Sequence, residues 1–147
     1  MPTPDTQSAA VLNRMRDDIA GRLSLMSALS TASDDDAFNK TLSSEIHALR
    51  AFDADLMHIL NTRGIACRKS PKIKPALLTA TAKLKLISSK SPEQIADILI
   101  ENARKSDPSI ASSTCDAQVH SCISRLNQIR SHLVSRLSPY AQNKSSH

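Results

Sequence analysis

The chain is poor in the residues from which other fold classes are built. It has two glycines, Gly21 and Gly64, only three aromatic residues, Phe38, Phe52 and Tyr140, and no tryptophan. Folds of many short strands need frequent glycine-containing turns, so this scarcity excludes an all-β design and points to an all-α chain. So few rings leave little with which to stack bases or hold sugars. The cysteines Cys67, Cys115 and Cys122 are odd in number and lack the C-x-x-C spacing, which argues against a zinc knuckle or a redox motif and fits a reducing compartment. No run of about 18 apolar residues could span a bilayer, and the opening MPTPDTQSAA has neither the basic nor the apolar region of a secretory signal. A cytoplasmic protein is expected, with secretion by a route that leaves no cleavable signal as the alternative. The chain also lacks a glycine-rich phosphate loop, a G-x-S-x-G element and any evident acid–base pair of carboxylates.

What it does have is helical periodicity. Asp34 to Thr62 carries Phe38, Leu42, Ile46, Leu49, Phe52, Leu56, Ile59 and Leu60 at spacings of three and four, one face of a long helix. A first helix is expected from about Gln7 to Leu29, with Leu12, Met15, Ile19, Leu23 and Met26 as its stripe and Val11 and Leu29 at its flanks. The short Ser-, Thr- and Asp-rich link between these two makes them antiparallel neighbours and supplies an N-cap for the second. Gly64 suits the position just past the second helix's end. Pro75 to Ser89 predicts a short third helix on Leu77, Ala80, Leu84 and Ile87. Ser91-Pro92-Glu93-Gln94 is a capping box with proline at the first helical position, opening a fourth helix that buries Ile95, Ile98, Leu99 and Asn102 and stops before Asp107-Pro108. Cys115, Val119, Cys122, Leu126, Ile129, Leu133 and Leu137 form the stripe of a last helix from about Ser113 to Leu137, which Pro139 ends. One domain over residues 7–138 is expected, with a disordered leader over 1–6 and a flexible tail over 139–147.

Charge is unevenly spread. Residues 1–60 hold five Lys or Arg and nine Asp or Glu, residues 61–92 hold eight basic residues and no acid, and residues 93–147 hold six and five. Arg63, Arg68, Lys69, Lys72, Lys74, Lys83, Lys85 and Lys90 therefore make a candidate basic patch that could meet a polyanion, an acidic protein surface or the acidic half of a second copy. Without a helix-turn-helix pattern or interleaved aromatics, nucleic acid is possible but not favoured. Among potential ligands, Asp55 and His58 form the one acid-x-x-His on a long helix, yet a 100° projection puts His58 nearly opposite the apolar stripe. Glu45 is the carboxylate aimed inward, with Asp53 at the edge of its face. An unpaired buried carboxylate would be costly, so a partner is expected in Arg130 or Arg22, which lie in or beside apolar stripes. Cys115 and Cys122 read as core fillers. Cys67, next to Arg68 and Lys69, is the better candidate for a reactive thiol.

The order of elements, with Val11-Leu12-Asn13, Leu49-Arg50-Ala51-Phe52, Lys83-Leu84-Lys85, Ile95-Ala96-Asp97-Ile98-Leu99 and Leu126 through His132, resembles small bacterial ferritin-like four-helix-bundle proteins over residues 8–137. The resemblance implies an up-down-down-up four-helix bundle with an additional short crossover helix. It also implies that metal ligands, if present, would be inward Glu and Glu-x-x-His residues. Here Ile129 stands three before His132 and Ala48 three after Glu45, so Glu45 alone is carried over as a candidate ligand, and no cofactor is expected. The expected function is a non-catalytic structural or regulatory module that binds a protein partner or itself. A degenerate metal-binding protein and a polyanion binder acting through residues 63–90 are the alternatives, and an effector or its chaperone is a further one.

Overall fold

The computed structural model describes residues 4–30, 33–65, 91–105, 110 and 116–141. Over these residues the chain is all-helical: α1 (Pro4–Leu29), α2 (Asp36–Thr62), α3 (Pro92–Arg104) and α4 (Ala117–Leu137), followed by a 3-10 turn at Ser138–Tyr140. The expected helix over Pro75–Ser89, together with Cys67, Cys115, Asp107-Pro108 and the basic residues 68–90, lies outside the described residues. α1 begins at Pro4, so part of the expected leader belongs to the helix. At the other end the expected tail begins one turn too early, because Tyr140 packs edge-to-face on Phe38 at 5.0 Å and Ala141 is buried.

Local chemistry sets the helix ends. The Asp35 carboxylate accepts the Phe38 amide hydrogen at 2.9 Å, and the Asp35 amide donates to the Ser33 hydroxyl at 3.0 Å, so the acidic link starts α2 as an N-cap should. At the far end Gly64 takes φ +73°, and this left-handed residue lets the Ile65 amide reach back to the Leu60 carbonyl at 2.9 Å. Ser91 and Gln94 form the reciprocal capping box of α3. Asp116 caps α4 by accepting from the amides of Gln118 and Val119.

One core joins the elements. α2 buries Phe38, Leu42, Ile46, Leu49, Phe52, Leu56 and Leu60, the expected stripe except that Ile59 is half-buried. α1 buries Leu12, Met15, Ile19, Met26 and Leu29, and also Leu25, whereas Leu23 is only partly covered. The arc is broad because α1 contacts α2, α3 and α4 together. α3 buries Ile95, Ala96, Leu99, Ile100 and Ala103, with Ile98 and Asn102 at the margin. α4 closes the core with Val119, Cys122, Leu126, Leu133 and Leu137 and packs on α2 and α3.

Leu49, 2% exposed at the middle of α2, should lose about 2–5 kcal/mol of stability on replacement by alanine, whereas Gly64→Ala should lose about 1 kcal/mol through its left-handed backbone; urea unfolding measures both.

Candidate functional site

Glu45 projects between Leu42 and Leu49 from the apolar face of α2 and is 3% exposed. Both of its oxygens are engaged from α4. Oε1 lies 3.0 Å from His132 Nδ1, and Oε2 accepts from the Arg136 guanidinium at 3.0 Å, with Arg136 also donating to the Ser44 hydroxyl at 3.2 Å. A carboxylate can only accept, so His132 must carry its proton on Nδ1. The inward direction of Glu45 is as expected, but its partners are not Arg130 or Arg22. The reason is geometric: Arg136 lies at the edge of α4 facing α2, whereas Arg130 lies at the edge facing α3.

Arg22 and Arg130 instead converge on the end of α3. Arg22, 5% exposed, donates from Nε to Asp18 at 2.8 Å, and its two terminal nitrogens reach the Asn102 carbonyl and side chain at 2.8 and 2.9 Å and the Lys105 carbonyl at 2.8 Å. Arg130 donates to the Ala103 carbonyl at 2.8 Å, to the Lys105 carbonyl at 2.9 Å and to the Asn127 side chain at 3.2 Å. The last carbonyls of a helix lack intrahelical partners and carry the negative end of its dipole. Two guanidiniums from α1 and α4 satisfy them here. Burial, and then the nearby Arg22 charge, lower Arg130 from its ordinary pKa, although a guanidinium stays protonated in any case. Glu45, Arg22 and Arg130 do wall the same narrow, partly open crevice of about 10 Å³, which has room for one water at most.

Of the expected basic patch only Arg63 lies among the described residues, and it is turned to internal use. It donates twice to the Asp116 carboxylate, at 2.7 and 2.9 Å, and twice to the Gln118 side chain, at 2.9 and 2.7 Å. Ser8 donates to the same carboxylate at 3.1 Å. One N-cap thus ties together the end of α2, the start of α4 and the start of α1. Arg63's hydrogen bonds hold the Asp116 carboxyl well below the usual carboxylate range, helped by the Val119 amide and Ser8 against the opposing effect of burial.

The remaining candidates separate. Asp55 and His58 are both exposed; Asp55 pairs with Arg125, whose guanidinium sits 4.8 Å from the Phe52 ring centroid in a cation–π contact. Asp53, at the edge of the α2 face, accepts from Arg16 at 3.0 Å. Cys122 is buried, and burial pushes its thiol up, away from the reactive thiolate. Among the described residues no three His, Cys, Asp or Glu side chains gather as metal ligands, and no helix is long and apolar enough to cross a membrane. Comparison with family models, characterised proteins and solved structures finds no match for the chain.

Sequence reasoning missed Arg16, Asp18, Arg136 and Asp116. Asp18 and Arg22 had a signal, since opposite charges four apart pair on a helix face.

Two outcomes follow. In double-mutant cycles read by urea unfolding, Glu45 and Arg136 should couple by about 0.5–3 kcal/mol, and Glu45 and Arg130 by less. Because the Asp116 carboxyl is depressed in the folded state, its contribution is fully present above the ordinary Asp value of about 3.9 and is lost as pH falls below it. Thermal melts between pH 6 and about 2 should therefore fall more steeply for the wild type than for Asp116→Asn.

Proposed function

We propose that this chain is a non-catalytic helical module, structural or regulatory, that works by binding a protein partner or another copy of itself. The observation that carries this reading is the use made of the polar residues in the core. Among the described residues Ser8, Arg16, Asp18, Arg22, Ser33 and Glu45 are the buried polar residues, and each is hydrogen bonded to another part of the same chain. Reaction centres hold groups in reserve for substrate; of these six, Ser8, Arg16, Arg22 and Glu45 join helices, Asp18 pairs with Arg22 inside α1, and Ser33 shapes the link ahead of α2. A cytoplasmic setting belongs to the same reading.

The finer architecture we propose is an up-down-down-up four-helix bundle of the ferritin-like type. Support comes from which helix ends meet. Ser8 near the start of α1, Arg63 at the end of α2 and Asp116 at the start of α4 share one end. Phe38 near the start of α2 meets Tyr140 just beyond α4 at the other end, where α3 also contacts the Ser138–Tyr140 turn. With α1 up, α2 runs down and α4 up; α3, whose C-terminus reaches back to the middle of α4 through Arg130, runs down.

A degenerate metal-binding protein is the alternative on which Glu45 bears. Its two oxygens are occupied by His132 and by the Arg136 guanidinium, and a fixed positive charge 3.0 Å from a carboxylate opposes a metal cation at that carboxylate. Polyanion binding through residues 63–90 loses Arg63 to Asp116.

Cross-linking followed by affinity capture from the native host should recover one reproducible protein, or the chain itself, at defined stoichiometry. Stoichiometric iron, manganese or zinc in the purified protein, or tight nucleic-acid binding at low salt, would contradict the reading.

A further inference from the structure

The outer surface of α3 and α4 divides by charge. α4 contains no acidic residue, and two adjoining open depressions run along its exposed side, sharing Asn127 and Ser131. Among the described residues their walls include Arg104, Arg130 and His132, together with the amides and hydroxyls of Asn127, Gln128 and Ser131, and no carboxylate. Beside them α3 carries Glu93, Asp97 and Glu101 at four-residue spacing, a row along one helix face. Glu93 and Glu101 are exposed and Asp97 is half-buried. Only Glu101 has an ion-pair partner among the described residues, Lys105 at the outer limit of 4.0 Å. In projection Arg104 falls between Glu93 and Asp97, and Arg104 is itself part of the depression wall, so the acidic row and the acid-free depressions open to the same side of the molecule.

Resting on the interaction-module reading, we propose that a second copy of this chain covers this surface, the acidic row of each α3 lying along the acid-free depression of the other α4. A two-fold axis between the copies makes the same contact twice, which is what an isologous interface requires. The row is short enough to lie within the depressions: from Glu93 to Glu101 it is about 12 Å long at 1.5 Å per residue, and the depressions extend about 22 Å along α4 between His120 and Ser135. The charges meet in complementary sign, which favours this pairing over one that sets α3 against α3.

Charge-swap variants of the full chain test it in sedimentation experiments at low ionic strength. Asp97→Lys with Glu101→Lys makes the row basic, and Gln128→Glu with Ser131→Glu makes the depression acidic; all four positions lie at or near the surface, and helical circular dichroism checks that each variant folds. The wild type should dimerise, and the dimer should weaken as salt is raised. Each double variant alone should bind itself at least about tenfold more weakly, because like charges then meet twice. An equimolar mixture of the two variants should recover dimer, because each reversed surface meets its complement. A wild type that stays monomeric at all concentrations overturns the proposal, even if the chain captures a different protein and so keeps its role as an interaction module. Homodimers indifferent to the substitutions, or a mixture that fails to recover, overturn it as well.

Discussion

The fold depends on what is done with the C-terminal end of α3. This short helix ends beside α1 and α4, and its last carbonyls lack intrahelical partners. Arg22 from α1 and Arg130 from α4 reach that end from two sides and supply it with hydrogen-bond donors. Asp18 then balances the Arg22 charge within its own helix. Leaving a buried guanidinium or a buried carbonyl unpaired costs far more than pairing it gains, so these contacts act chiefly by penalising every arrangement that lacks them. They fix where α3 sits between α1 and α4, and with it the surface that α3 and α4 present together.

The same logic recurs at the other polar contacts. Glu45 ties α2 to α4 through His132 and Arg136, Asp53 ties α2 to α1 through Arg16, and Asp116 gathers three helix ends through Arg63 and Ser8. Apolar burial stabilises the helices against one another but does not specify their relative rotation and height, because Leu and Ile stripes pack in several registers. Charged pairs at fixed positions distinguish among those registers. A chain with 2% aromatic residues has few large rings to key its packing, and paired charges take over part of that role.

Much of this was legible in the sequence, and the limits have a physical cause. Features confined to one helix read correctly: the α2 stripe, the Ser91–Gln94 capping box, the end at Gly64, and the inward direction of Glu45. Each follows from the helical period or from bonds spanning a few residues. Glu45's partner did not read, because a helical projection gives the direction in which a side chain leaves its own axis and says nothing about which neighbour stands there. Arg130 and Arg136 both flank the α4 stripe, on opposite edges, and only the packing of α2 and α3 on those edges tells them apart. The α1 arc is wider than its expected stripe, which Arg22 borders, and takes in Leu25, Arg16 and Asp18 as well, for a related reason: three neighbours surround that helix, whereas a three-four stripe assumes fewer. Asp116 was missed because its role lies in joining chain ends distant in sequence.

Native-state hydrogen exchange on Arg22→Met tests the central claim, that Arg22 and Arg130 hold α3 in place, more directly than any activity assay. Methionine keeps much of the side chain's bulk while removing every donor. If the claim is right, amides in the last turns of α3 lose protection at least about tenfold more than those at the centre of α2, because α3 is released locally while the rest of the core persists. A uniform loss across α1, α2, α3 and α4, or none in α3, would contradict it.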